Sequence, residues 1–230
     1  MKYMVATGQT TTKRTVISTE IIDVSNPTKS CVLDDKIIRQ YQYASTGGML
    51  GTTPVICGGL GNTDLHFEDN MSNECLLYGT SRKIMLNFKR AYHSSISLNN
   101  SMLWITGGAA YEAHKGQVNV VGSTEFVTRE GAVNGPPIPE GKVLWYHCSV
   151  LFPGNGNVYL IGGTANNVLV ANPSNGFTFA QGPLLMTDRG DHACGTMSIG
   201  TKSIIVAAGG YNLASVEILD PLSNQWVAGK

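Results

Sequence analysis

Charge is scarce in this chain. Asp, Glu, Lys and Arg make up 14% of its 230 residues, and 16 basic side chains are matched by 16 acidic ones. No run of Lys or Arg stands out, so there is no electrostatic footprint for nucleic acid. No apolar stretch approaches the roughly 20 residues that a membrane-spanning helix needs. In the opening segment MKYMVATG, Gly8 and Gln9 cut short any signal-peptide core. Helical periodicity is missing throughout. A GxSxG elbow, an HExxH pair, a Walker loop and a GxGxxG fingerprint are all lacking, which removes the common hydrolase, zinc-protease and nucleotide-binding readings. Cys31, Cys57, Cys75, Cys148 and Cys194 form no CxxC pair, which excludes a zinc site of the usual kind. Cys57 and Cys148 lie in apolar runs (PVICGG and WYHCSV), where a thiol acts as a small hydrophobe. The five read as structural thiols rather than disulfides, which points to the cytoplasm. Sequons at Asn70 and Asn99 pull weakly toward secretion, which stays open.

What the chain does have is glycine: 27 residues, about 12% against a usual ~7%. With 42% hydrophobic residues and little charge, the chain is not a disordered one. Glycine, nine prolines and many Thr, Ser and Asn indicate turns, hence an all-β chain of short strands.

The glycines are periodic. Five apolar runs close on glycine: MVATG, PVICGG, LWITGG, YLIGG and IVAAGG. Their first glycines, Gly8, Gly58, Gly107, Gly162 and Gly209, are 50, 49, 55 and 47 residues apart. Upstream come RAYH (to His93), WYH (to His147) and RGDH (to His192), with Tyr43 taken as the counterpart in the second unit. Downstream a glutamate recurs as Glu20, Glu74, Glu125 and Glu217, with Leu169 in its place once. Each unit thus predicts four short strands, a to d. Strand b, a continuous apolar run, is expected to be buried on both faces, and strand c, which alternates, on one. Segments such as PGNGN and DPLSNQ fit the hairpin turns between strands.

Four-stranded units repeating at about 50 residues resemble kelch repeats. The matching letters are the glycine pairs Gly58–Gly59, Gly107–Gly108, Gly162–Gly163 and Gly209–Gly210, the Glu-bearing c strands, and Trp226 in the last d strand. Elsewhere the d-strand Trp is missing, with Phe177 as a stand-in, and Gln9 replaces the second glycine of the first unit. The resemblance implies one all-β domain over 1–230: a β-propeller of about five four-stranded blades, in units of approximately 1–38, 39–88, 89–140, 141–186 and 187–230. The chain opens on a b strand, so the first blade lacks its inner strand. Either a fragment or a complete open arc is expected, with an unpaired strand edge through which the chain could self-associate.

His93, His147 and His192 recur with the repeat, as do the glutamates, which assigns them to per-blade structure rather than to a metal or acid–base site. RGD at 189–191 belongs to that same pattern. The b–c connections are long in the first three units (about 9–18, 60–72 and 109–122) and short in the last two. They should form a raised rim bearing His66, Phe67, Glu68, Asp69, Tyr111, Glu112, His114 and Lys115, the expected partner-binding residues. The expected function is a scaffold for a protein partner, not an enzyme, with no cofactor, metal, nucleic acid or membrane. In kelch proteins that role often means presenting a substrate to a ubiquitin ligase; no second adaptor domain is seen, so that role is not assigned. The alternative is an extracellular glycan-binding or enzymatic propeller of the oxidase or mutarotase type.

Overall fold

A computed structural model describes residues 3–9, 15–23, 25–26, 28, 31–34, 43–61, 71–112 and 117–229. Strand dominates the described residues, and the helix among them is one short turn, Pro173–Asn175. The first sheet holds three strands, β1 (Tyr3–Gln9), β2 (Thr15–Asp23) and β3 (Val32–Asp34). The second holds β4 (Thr46–Leu50), β5 (Thr53–Cys57), β6 (Glu74–Leu77) and β7 (Lys83–Met85). The third begins with β8 (Ser94–Asn99) and β9 (Met102–Thr106). It is interrupted by a separate hairpin of β10 (Ala109–Glu112) and β11 (Gln117–Val120), then resumes with β12 (Thr124–Val127) and β13 (Ala132–Asn134). The fourth comprises β14 (Cys148–Leu151), β15 (Val158–Ile161), β16 (Val168–Asn172) and β17 (Thr178–Gln181). The fifth comprises β18 (Ala193–Ile199), β19 (Lys202–Ala208), β20 (Val216–Asp220) and β21 (Gln225–Ala228). Every pairing is antiparallel and, within each of these sheets, follows chain order.

The continuous apolar strands explain how the sheets stack. Side chains alternate between the two faces of a strand, so a strand apolar at every position presents grease to both sides. On β9, Leu103 and Ile105 pack with Leu50, Val55 and Leu77 of the second sheet. Between them Trp104 points the other way, onto Leu144, Val158 and Leu160 of the fourth-sheet region. On β15, Tyr159 and Ile161 pack with Ile205, Leu219 and Trp226 of the fifth sheet. Burying each such Leu or Ile stabilises by about 1.5–3 kcal/mol relative to exposure. Successive sheets also meet through their first strands: β4 against β8, β8 against β14, and β14 against β18.

Those first strands meet at one repeated place. Thr46 Oγ1 and Ser95 Oγ lie 2.8 Å apart between β4 and β8, and Ser95 Oγ donates to Gly47 O at 2.7 Å. One interface along, Ser94 and Ser149 hold the corresponding positions. One further, Cys148 and Cys194 do, and there the contact is a disulfide, with Cα atoms 5.9 Å apart. A second disulfide, Cys57–Cys75, joins directly opposed residues of β5 and β6. The expectation of five structural thiols is therefore corrected, leaving Cys31 as the free cysteine. Spacing in the chain hid the pairs, because cross-strand and cross-sheet neighbours are distant in sequence.

Register corrects three further expectations. Ile105 opposes Glu125 and Ala207 opposes Glu217, whereas the matching residue Ile56 opposes Leu76, so Glu74 lies two residues out of step. Ala6 opposes Glu20, which is in step, but Gly8 lies inside β1, opposite Val16, rather than after the strand. Leu219 opposes Trp226 while Ala171 opposes Phe179, so Phe179, not Phe177, holds the tryptophan's place. Phe177 instead packs on Trp104 at 4.9 Å between ring centroids.

Candidate functional site

The residues just before each first strand repeat a sharp turn. Ala44, Tyr92, Tyr146 and Asp191 all adopt the left-handed conformation, with φ of 52°, 55°, 57° and 53°. Side chains rarely tolerate it, and such residues cluster where backbone geometry serves a function. Here their backbones are linked from sheet to sheet. The Tyr92 N–H donates to Ala44 O (3.0 Å), the Tyr146 N–H to Tyr92 O (2.9 Å), and the Asp191 N–H to Tyr146 O (3.0 Å). The next residue in each turn is Ser45, His93, His147 or His192. Ser45, rather than Tyr43, is thus the counterpart of the histidines.

The histidines are wedges between sheets. His147 Nε2 meets Thr106 Oγ1 of the preceding sheet at 2.8 Å. A Cβ added to Gly58 would lie 2.5 Å from His93 Cε1, and one added to Gly162 would lie 2.7 Å from His192 Cε1. These glycines also have φ of 61° and 69°, so both conformation and space demand them. Burial pushes His147 down to about 3, with the nearby His192 adding to it. Burial also lowers His192 to about 4, helped by Arg189 and opposed by Glu217. Among the described residues no three His, Cys, Asp or Glu side chains are placed to hold a metal ion.

The turns at Tyr92, Tyr146 and Asp191 are anchored by what precedes them. Arg90 is fully buried; its guanidinium donates to Gly107 O at 2.7 Å and to Glu125 at 2.6 Å. Glu125 also accepts from the Asn87 N–H at 2.6 Å. In the fifth sheet Arg189 repeats the arrangement, donating to Gly209 O, to Ser215 and to Glu217 at 3.0 Å. The fourth sheet has Leu144 in place of the arginine and Leu169 in place of the glutamate, both buried. Charge is lost from both positions together, as expected if a buried ion must be paired.

Above this frame lies an open depression of about 240 Å³, lined by Ala44, Ser45, Asp191 and the rings of Tyr92, His93, Tyr146, His147 and His192. Tyr92 and Tyr146 pack at 4.4 Å between centroids, with Tyr43 edge-on to Tyr92 at 5.8 Å. Burial raises the Tyr92 hydroxyl well above its ordinary range, and the Tyr43 and Tyr146 hydroxyls add to this. A second depression of about 410 Å³ adjoins it and shares Tyr146 and Asp191; Asp188, Thr164 and Tyr211 line its far side. Partial burial raises the Asp191 carboxyl.

The expected rim is placed only in part. His66, Phe67, Glu68, Asp69, His114 and Lys115 lie outside the described residues. The connection predicted as a loop over 109–122 contains the β10–β11 hairpin, in which Glu112 opposes Gln117. Tyr111 packs against Leu60, Met71 and Ala91 rather than standing free. Tyr92, Tyr146, Asp188, Asp191 and Tyr211 were not singled out as binding residues by sequence. The available signal was the variable residue before each repeated histidine: Tyr, Tyr, then Asp. No protein-family model matches the chain, and no curated protein shows significant similarity to it.

Proposed function

We propose that the chain is built of kelch-type blades set as an arc of a β-propeller, and that it recognises a protein partner on the face bearing the d–a turns. The repeated glycine doublets, the Arg–Glu anchors and the apposed first strands support the architecture. The binding reading is carried by one observation: four non-glycine residues, Ala44, Tyr92, Tyr146 and Asp191, are held at positive φ around one depression. Aromatic side chains displayed on a rigid frame are favoured anchors for protein recognition. The test is selection from a displayed peptide library against wild type and against Tyr92→Asn/Tyr146→Asn, since Asn tolerates the left-handed turn. Selected peptides should lose most of their binding to the double variant. Equal binding to both proteins, or no selection above background, removes the reading.

The two disulfides favour a second reading, an extracellular glycan-binding domain, because such bonds persist in oxidising compartments. The exposed sequon residue Asn99 is consistent with it. A glycan array would test this reading, and binding abolished in Tyr92→Asn/Tyr146→Asn would support it over peptide recognition.

A further inference from the structure

The charges around the paired depressions are lopsided, although the chain as a whole is neutral. Asp188 and Asp191 are both exposed there, and neither carboxylate has an ion pair or hydrogen bond among the described residues. Among the described residues lining the depressions, the one cation is Arg189, and it is consumed below by Glu217, Ser215 and Gly209. His147 and His192, on the floor, are held neutral by burial. The walls are aromatic: Tyr92 and Tyr146 in contact, and Tyr211 78% exposed on the far side. Unpaired carboxylates next to ring faces form a receptor for an organic cation, since the π-face and the carboxylate attract the same charge.

We propose that the two depressions meeting at Tyr146 and Asp191 receive an arginine side chain of the protein partner. Arginine fits better than lysine on chemistry: its planar head can lie on a tyrosine ring while its fork of N–H groups reaches carboxylates at the edge. A volume of about 240 Å³ accommodates one such side chain, and the adjoining space of about 410 Å³ accommodates the residues flanking it. The left-handed turn serves this role because it fixes Tyr92, Tyr146 and Asp191 before binding, so little ordering is left to be done. This rests on the partner-recognition reading above.

The test is an NMR titration of the whole chain with N-acetyl-arginine-N-methylamide, against the neutral isostere N-acetyl-citrulline-N-methylamide. The arginine probe should shift the ring signals of Tyr92, Tyr146 and Tyr211 saturably, with citrulline at least tenfold weaker. Asp191→Asn, which suits the same turn, should weaken arginine at least fivefold while the circular dichroism spectrum and melting temperature hold. Equal binding of both probes, shifts elsewhere in the molecule, or unchanged affinity in Asp191→Asn/Asp188→Asn overturns the proposal. The two readings fail separately. Selected peptides that bind this face but lack arginine would sink the arginine site and leave partner recognition standing. Saturable arginine binding with no peptide selected would support the site and count against the wider reading.

Discussion

At the scale of single residues, the buried Arg90–Glu125 pair is the most consequential feature of the frame. Both side chains are wholly buried, so neither ion has water to fall back on. Arg90→Leu strands the Glu125 carboxylate, and Glu125→Leu strands the guanidinium. Either single change should cost about 3–5 kcal/mol. The double change reproduces the Leu144 and Leu169 arrangement of the fourth sheet and should cost less than either single one. Urea unfolding of all four proteins checks this, and additive losses would contradict it. The histidines set a pH dependence. His147 and His192 titrate at about 3 and about 4 when folded, below the unfolded value near 6.5. Between those values the unfolded chain binds more protons, so stability is complete above about pH 6.5 and falls as pH drops toward 4. By pH 5 each histidine should have removed about 2 kcal/mol. Unfolding midpoints that match at pH 7 and pH 5 would refute this.

At the scale of elements, the turn after each b strand decides whether neighbouring sheets can meet. A methyl group on Gly58 would lie 2.5 Å from Arg90 O, on a backbone with φ of 61°. Gly58→Ala should therefore cost more than about 2 kcal/mol, combining left-handed strain with overlap. Gly131 is open on all sides and serves as the control, with an effect within about 0.5 kcal/mol. Thermal melts of the two variants separate the outcomes. The d strands end on a similar constraint. Gly135, Gly182 and Gly229 donate to Thr124 O, Val168 O and Val216 O, and added Cβ atoms would lie within 3 Å of those same residues.

At the scale of the whole molecule, adjacent sheets are held by a repeated contact between first strands, covalent in one place. Alkylation of the native, unreduced protein should label one thiol, Cys31, and all five after reduction and unfolding. Five labels at the outset would contradict the disulfides. Cys148→Thr/Cys194→Ser copies the Thr46–Ser95 contact. It should fold with a loss of about 2–4 kcal/mol, seen as a lower denaturation midpoint. The far face of the fifth sheet bears exposed Met197, Ile199 and Val227; Leu50 and Phe152, which correspond to Met197 in other sheets, are buried.

The repeat by itself determined a great deal: an all-β chain, short strands in units of about 50 residues, and b strands apolar on both faces. These follow from local chemistry, because glycine spacing and hydrophobic alternation are properties of neighbouring letters. Register was less legible. Counting from the glycines misplaced Glu74, Tyr43 and Phe177 by two residues each, since loops of unequal length absorb the difference and only hydrogen-bonded partners reveal the true alignment. Both disulfides and the Tyr–Asp depression were decided by tertiary structure alone. Each brings together residues that lie a strand or a whole unit apart in the chain, and no local pattern records which of them will meet once the sheets stack.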